Sequence, residues 1–167
     1  MLIVLSDTHG TDEMRLTPHL REQLARAECV IHAGDFTTEA VLDEYEEFDR
    51  FVGVAGNSDT VAVCERLPER QTVEWEGRRF VVTHGHRHDW TTLSLLGRQE
   101  KADVVVVGHT HRPAVNRSSR MVVVNPGSHA DPRGECGTYA RFERTDAGVR
   151  GQVRTVSGAT TLESVML

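Results

Sequence analysis

The sequence predicts an α/β fold, and two observations carry this prediction. In the first part of the chain, three short apolar runs alternate with two stretches of helical spacing. In the second part, pairs of apolar runs flank short turn signals, as is typical of β-hairpins. Helical connections favour parallel strands whose carboxyl ends share one edge of a sheet. The hairpins indicate a second sheet, of mixed or antiparallel strands, packed on the first.

The first part of the chain is expected to alternate strictly between strand and helix. The predicted strands are residues 2–5, 29–33 and 51–54. The first helix has two possible starts, because residues 11–13 offer a capping residue and early acids, whereas Pro18 favours a turn followed by a helix over about 18–27. The second helix opens at residues 37–39. Its inner stripe is predicted to be Val41, Leu42, Tyr45 and Phe48, and its solvated face Glu44, Glu46 and Glu47.

The second part of the chain contains three hairpin signals, one further helix and one further strand. The hairpins centre on Glu76-Gly77, Ser118-Ser119 and Asp146-Ala147-Gly148. Asp89 can cap a helix over about 90–101, with Leu93 and Leu96 facing inward and Trp90 as a further candidate for the inner face. Residues 104–107 form the next strand, and the tail from 157 to 167 has too weak a periodicity to assign.

The composition limits the classes of protein to which this chain can belong. The chain of 167 residues suits one domain, 1–167, and its net charge of −6 lacks the basic stripe that stable nucleic-acid binding needs. The N-terminus carries no signal-peptide pattern, and no apolar run approaches the roughly 18 residues of a membrane span. We therefore expect a cytoplasmic protein without a membrane segment, and a homo-oligomer is possible. Three unpaired cysteines lack the spacing of a thiolate zinc site, and Cys29 is predicted to lie in the core.

Polar side chains follow the predicted strands at the point where each strand ends. The set is Asp7, His9, Asp35, Asn57, His84, His109 and His111. Sites in open α/β sheets form at the carboxyl ends of strands. Taken singly, Asp7 could equally cap a helix, and a lone His-x-His such as 109–111 is more often two solvated side chains. Together, the mixed nitrogen and oxygen donors suit Mn²⁺, Fe²⁺, Zn²⁺, Ni²⁺ or Co²⁺ better than Ca²⁺ or Mg²⁺.

The order of these motifs resembles the calcineurin-like metallophosphoesterase superfamily. The motifs are Asp7-x-His9, Gly34-Asp35, Gly56-Asn57, His84-Gly85-His86 and Gly108-His109-Thr110-His111. Asn125-Pro126-Gly127-Ser128 and Pro132-Arg133-Gly134 look like the small single-domain YfcE-type phosphodiesterases, and the retromer subunit of the same fold is also a relative. The resemblance implies a four-layer sandwich of two mixed sheets flanked by helices. It also implies hydrolysis of small phosphate diesters by a hydroxide that bridges two divalent metals, with Mn²⁺ favoured.

The resemblance further implies how the ligands divide. One metal would be held by Asp7, His9, Asp35 and His111, and the other by Asp35, Asn57, His84 and His109. Asp35 would bridge the two metals, and the two histidines of the last motif would serve different ions.

One position departs from the pattern of many superfamily members, which have a histidine after Gly-Asn where this chain has Ser58. The YfcE-type branch also lacks that histidine. His86 could protonate the leaving oxygen instead, and Asn57 and His86 are the predicted catalytic residues. Four histidines have no motif support and are expected to be surface or supporting residues: His19, His32, His88 and His129. Arg133 could contact a substrate phosphate or be structural.

The sequence is compatible with two other functions. The chain could be a binding module whose metal site has degraded, as in the retromer subunit, but every ligand position is filled. It could also hold a metal for storage or structure, although structural zinc sites are usually closed and tetrahedral, whereas these residues lie at exposed strand ends.

Overall fold

The computed structural model describes residues 1–118 and 121–167 and places them in eleven strands and four helices. The first half contains β1 (Leu2–Leu5), α1 (Pro18–Ala25), β2 (Cys29–His32), α2 (Glu39–Glu46), β3 (Phe51–Gly53) and α3 (Val61–Arg66). The second half contains β4 (Arg70–Trp75), β5 (Arg78–Thr83), α4 (Trp90–Gln99), β6 (Val104–Val106), β7 (Ala114–Arg117), β8 (Val122–Asn125), β9 (Thr138–Thr145), β10 (Gly148–Thr155) and β11 (Thr161–Met166). Among the described residues, no helix has both the length and the apolar character needed to cross a membrane.

The strands form two mixed sheets. The first has the order β11-β10-β9-β1-β2-β3, and the second has the order β4-β5-β6-β8-β7. The strands β1, β2 and β3 are parallel, as predicted. The strands β5, β6 and β8 are also parallel, with β4 and β7 antiparallel at the edges. The prediction that all the hairpins build the second sheet was wrong, because β9 pairs with β1 and brings β10 and β11 into the first sheet.

Alternation along the strands creates the four layers that the family resemblance implied. Leu2 and Val4 lie in the core between the two sheets, whereas Ile3 and Leu5 pack on the other face of the first sheet, in the core that also contains residues of α1, α2 and α3. In the same way, Val105 of β6 packs with α4 on the outer face of the second sheet. The layers are therefore three helices, two sheets and one helix, with helices packed on the outer face of each sheet.

Several local predictions need correction. The helix α1 begins at Pro18, since the Thr17 hydroxyl caps it by accepting the Leu20 N–H at 3.2 Å, so a helix start at residues 11–13 was wrong. The helix α3 and the strand β11 were not predicted. Glu44 is half-buried and accepts the Met14 N–H at 2.8 Å, so it is not part of a purely solvated face. The hairpin of β7 and β8 is confirmed by its pairing, although Ser119 in its turn lies outside the described residues.

Side-chain burial confirms some inward positions and corrects others. Cys29 is in the core, and Leu93 and Leu96 face inward from α4. Trp90 is 46% exposed, so the suggestion that it faces inward was wrong. Phe48 packs against the core although α2 ends at Glu46.

Two histidines that had no motif support are core residues rather than surface residues. The ring of His32 is fully buried, stacks on Phe36 at 3.8 Å, and accepts the Gly34 N–H at Nδ1, so its Nε2–H donates to the Thr8 hydroxyl at 2.8 Å. His129 is also buried and donates from Nε2 to the Met14 carbonyl at 2.9 Å. Burial lowers the pKa of His129 to about 4 and the pKa of His32 well below its usual value, so both rings are neutral.

This burial predicts that the metal-free protein loses stability in acid. A histidine whose folded-state pKa is lowered binds fewer protons than the unfolded chain, so the free energy of unfolding falls as the pH drops from about 6.5 to about 4. For His129 the full effect is about 3 kcal/mol. Urea denaturation of the parent and of His129→Gln, which keeps an amide donor for the Met14 carbonyl, measures it. Over this pH range, the free energy of unfolding of the variant should fall by about 3 kcal/mol less than that of the parent. Equal decreases in the two proteins would contradict the neutral, buried state of His129.

Candidate metal centre

Five loops bring the predicted ligands together at the carboxyl ends of parallel strands. The loops follow β1, β2, β3, β5 and β6. Backbone hydrogen bonds join them: the Asp7 N–H donates to the Gly34 carbonyl at 3.0 Å, and the Gly108 N–H donates to the His84 carbonyl at 3.0 Å. The second of these bonds connects the two histidine motifs of the second sheet, which follow β5 and β6. The predicted ligands therefore lie at strand ends in both halves of the molecule.

The backbone at this edge is strained. Positive φ angles between 45° and 68° occur at five of the seven predicted ligands: Asp7, His9, Asp35, His109 and His111. Residues other than glycine rarely adopt this conformation, and such strain clusters at functional sites. The turns aim the side chains of successive strands into one space.

A first cluster of donor atoms forms around Asp7, His9 and His111, whose ligand atoms lie within 4.8 Å of one another. The Nε2 atoms of His9 and His111 are 3.2 Å apart, and His111 Nε2 is 3.4 Å from Asp7 Oδ1. The Asp131 carbonyl accepts from His111 Nδ1, so that nitrogen carries the proton of the neutral ring. The Nε2 lone pair of His111 therefore faces His9 Nε2 and Asp7 Oδ1, and this set of donor atoms fits a cation.

A second cluster forms around Asp35, Asn57 and His84. His84 Nδ1 donates to the Ala33 carbonyl at 2.7 Å, which leaves the Nε2 lone pair of the neutral ring facing Asn57 Oδ1 at 3.1 Å and Asp35 Oδ2 at 3.3 Å. A carbonyl that fixes the other ring nitrogen is the usual support of a metal-binding histidine. The donor set again fits a cation.

Asp35 lies between the two clusters. Its Oδ2 atom is 3.4 Å from His9 Nε2 and 3.3 Å from His84 Nε2, and its Oδ1 atom accepts the Ser58 N–H at 2.8 Å. One carboxylate oxygen thus faces both sets of donors, which is the position that a bridging ligand needs.

The two histidines of the last motif point to different sides. His111 belongs to the cluster of Asp7 and His9, whereas the His109 ring lies edge-on to the His84 ring, with centroids 5.4 Å apart. The backbone N–H of His109 donates to both oxygens of Asp7 at 3.1 Å. The His109 ring is exposed and lies outside the tight groups of ligand atoms.

Burial and neighbouring charges shift the pKa values of this centre. Burial raises the pKa of the Asp7 carboxyl, against the opposing effects of Ser6 and the histidines. Burial also acts to raise the pKa of Asp35, but the hydrogen bond and charge of His84 outweigh it, so the pKa falls below its usual range. Burial acts to lower the pKa of His84, and Asp35 reverses this, so that pKa rises. Each shift follows from packing two carboxylates and several imidazoles together, and a bound cation would neutralise the carboxylates.

Asp59 supports the site, although no sequence argument selected it. Its carboxylate accepts the backbone N–H groups of Asp35, Gly56 and Thr37 at 3.1, 2.7 and 2.8 Å. It therefore ties the loop after β2 to the loop after β3. An acid two residues beyond Asn57 was the available signal.

The segment from Asn125 to Asp131 also supports the site. Asn125 Nδ2 donates to the Gly108 carbonyl at 2.8 Å, and the Ser128 hydroxyl donates to the Asp7 carbonyl at 2.7 Å. The sequence identified this segment only as a turn and as a mark of resemblance. In the structure it holds the loops that carry Asp7 and His111.

Close packing at Gly56 gives a prediction about metal affinity. A Cβ atom on Gly56 would lie 2.1 Å from Asp35 Oδ1 and 2.5 Å from the Asp35 backbone nitrogen. Gly56→Ala is therefore expected to displace Asp35. Mn²⁺ binding should weaken at least about tenfold, because disturbing the contacts that orient a metal ligand typically lowers metal affinity by that much. Isothermal titration calorimetry measures this. Gly77→Ala is the control, because its new methyl meets open space and any strain from its φ of 68° lies in the β4–β5 turn, at the end of β5 opposite His84. Equal affinities in the two variants would contradict the prediction.

Comparisons with known proteins agree with this fold. Residues 1–147 match the family model of the calcineurin-like phosphoesterase superfamily domain. A probable metallophosphoesterase of Methanocaldococcus jannaschii is 34% identical over 139 residues, which cover 80% of this chain and 70% of that protein. The phosphoesterase YfcE of E. coli has a TM-score of 0.73 at 22% identity, with 98% and 97% of the two chains covered. Vps29 of Entamoeba histolytica, crystallised with zinc, has a TM-score of 0.77 at 21% identity and the same coverage. These two solved structures share the fold.

Proposed function

The chain belongs to the calcineurin-like phosphoesterase superfamily, and we propose from this premise that it is a phosphodiesterase that uses two divalent cations. The observation that carries the proposal is the orientation of two buried imidazoles. His84 and His111 each commit Nδ1–H to a backbone carbonyl and turn Nε2 toward a buried carboxylate. Such a pair of preorganised donors fits a metal better than it fits an apolar core.

The ligands are proposed to divide into two sets. Asp7, His9 and His111 hold one ion, and Asn57, His84 and His109 hold the other. Asp35 belongs to both sets, supported by its contacts of 3.4 Å to His9 and 3.3 Å to His84. Mn²⁺ is the favoured ion, because imidazole, amide and carboxylate donors without thiolate suit it.

The chain's own residues supply positioning and proton transfer. When bound, two cations would lower the pKa of a water molecule and neutralise charge on the phosphoryl oxygens. His109 and Asn57 are exposed at this edge, so they face an incoming phosphate ester. Small phosphate diesters are the proposed substrates.

His86 is the proposed donor of a proton to the leaving oxygen, since Ser58 is not acidic enough for that role. Its ring lies 5.4 Å from the His84 ring, between centroids. Burial, with the nearby cationic groups, lowers the pKa of His86, so the ring is a stronger acid but less of it is protonated at neutral pH. His86→Gln should therefore slow the release of phenol more than that of p-nitrophenol, with the difference growing as the pH falls.

The binding-module alternative has one observation in its favour, which is the close structural likeness to Vps29. The two functions differ in a direct assay. Purified protein, stripped with EDTA and reloaded with Mn²⁺, is expected to hydrolyse bis-p-nitrophenyl phosphate only after reloading. Binding of Mn²⁺ without turnover of this or any other phosphate ester in a broad panel would favour the module instead.

We propose that residues 1–167 act as one domain, since the site takes residues from both sheets and the segment after β8 supports it. The cytoplasmic location and the homo-oligomeric state stay predictions.

A further inference from the structure

A cavity of about 490 Å³ adjoins the candidate metal centre. Thr110 and His111 form part of its wall, so a ligand in this cavity lies directly beside the first cluster of donor atoms. Its volume falls in the range of roughly 300–1,000 Å³ that is usual for small-molecule sites. The cavity is therefore large enough to hold one substituent of a phosphate ester whose phosphorus lies at the centre.

The lining of this cavity includes an exposed aromatic ring and two buried apolar side chains. Trp90 is 46% exposed, whereas Leu93 and Val107, which also line the cavity, are 8% and 9% exposed. Tryptophan is on average highly buried, so this indole has an unusually open surface within a concavity. A planar ring that enters the cavity can stack on it, and such stacking accepts any nucleobase.

The charge of the cavity is opposite to that of the chain. Arg112 and Arg133 line it with a single acid, Glu135, although the chain has a net charge of −6. Arg133 Nε is 3.7 Å from Asp131 Oδ2, while the Arg112 guanidinium makes no hydrogen bond or ion pair with the described residues. A guanidinium without a carboxylate partner, beside an aromatic face, suits a phosphate group attached to a nucleoside.

We propose that this cavity, which we call the Trp90 pocket, binds a nucleotide arm of the substrate, with the base on Trp90 and a second phosphate on Arg112. The inference rests on the proposed phosphodiesterase function and narrows its substrates to nucleotidyl diesters. A purely aryl arm would use Trp90 but would gain nothing from Arg112. An alkyl arm would use neither side chain.

Binding without metal tests the pocket apart from catalysis. The probe is thymidine 3′,5′-bisphosphate, titrated by calorimetry in EDTA so that the metal centre contributes no cation. The Kd should rise about tenfold in Trp90→Ala, within the roughly 5- to 150-fold range expected for loss of one stacked base, and should also rise in Arg112→Gln. Leu95→Ala, which removes another exposed side chain of α4 that does not line the cavity, should keep the parental Kd. A parent that gives no binding heat, or a Trp90→Ala variant with the parental Kd, would overturn the inference.

Fluorescence locates the bound base. The other tryptophan, Trp75, is 4% exposed and donates its indole N–H to Glu28, so quenching by the probe reports on Trp90. Quenching should disappear in Trp90→Phe. Quenching that persists in this variant would place the base elsewhere and overturn the inference.

Kinetics separate the substrate class from the activity itself. Two diesters with the same leaving group are compared in Mn²⁺: the p-nitrophenyl ester of thymidine 5′-phosphate and ethyl p-nitrophenyl phosphate. Trp90→Ala should lower the ratio of their kcat/KM values about tenfold, whereas Leu95→Ala should not change it. Equal efficiency of the parent on both esters overturns the nucleotide assignment and leaves the phosphodiesterase in place. Binding of the bisphosphate without hydrolysis of either ester supports the pocket and contradicts the proposed function alone.

Discussion

Asp35→Asn is expected to reduce kcat/KM for metal-dependent hydrolysis of bis-p-nitrophenyl phosphate by on the order of a thousandfold or more. The substitution removes a negative charge that faces both donor clusters, through an oxygen 3.4 Å from His9 and 3.3 Å from His84. An asparagine oxygen can still accept the Ser58 N–H, so the loop should keep its conformation. The loss is therefore one of charge between two cations, and steady-state kinetics at saturating Mn²⁺ measure it.

Asp103→Asn provides the matched control. Its carboxylate also accepts one backbone N–H, that of Arg79 at 2.8 Å, but it lies at the end of the second sheet remote from the centre. This variant should keep parental activity. An Asp35→Asn enzyme within tenfold of the parent would contradict the bridging role of Asp35.

Mn²⁺ is expected to stabilise the folded protein strongly. The native fold holds two buried carboxylates and five ligands with left-handed backbone close together. The unfolded chain does not preserve this arrangement, so a cation binds the native state and stabilises it relative to the unfolded state. At a free concentration one hundred times Kd, each site adds about 2.7 kcal/mol to the free energy of unfolding, and two sites about 5 kcal/mol. The expected rise in Tm is roughly 10–20 °C, which differential scanning calorimetry measures.

Calcium is the control for this effect. Ca²⁺ prefers shells made of oxygen alone, whereas four of the seven proposed ligands are imidazoles. The shift with Ca²⁺ should be a small fraction of that with Mn²⁺ at the same concentration. Equal shifts with the two ions would indicate nonspecific binding to the acidic surface.

The location of the site could be predicted because it depends on local sequence order. Each ligand follows an apolar run, and parallel strands joined by helices must bring their carboxyl ends to one edge. Asp7 and Asp35 meet for this reason, without any knowledge of long-range packing. Their spacing alone does not predict that His109 and His111 point to different sides. That arrangement depends on the turn that the positive φ angles of both residues create.

Other features depend on contacts that no local pattern encodes. The hairpin of β9 and β10 is evident from its turn, but its place beside β1 depends on which sheet edge is free. Asp59 matters through three backbone N–H groups in two loops, which only the assembled structure reveals. Trp90 has helical spacing with Leu93, which predicts an inward position. Its side chain is exposed because it lines a cavity.

Anomalous diffraction from crystals of the Mn²⁺-loaded protein tests the central claim most directly. We expect two manganese peaks roughly 3.5–4 Å apart. Asp35 should contact both ions, with His111 on one ion and His109 on the other. A single peak held by both His109 and His111, or no peak among these side chains, would contradict the proposed centre.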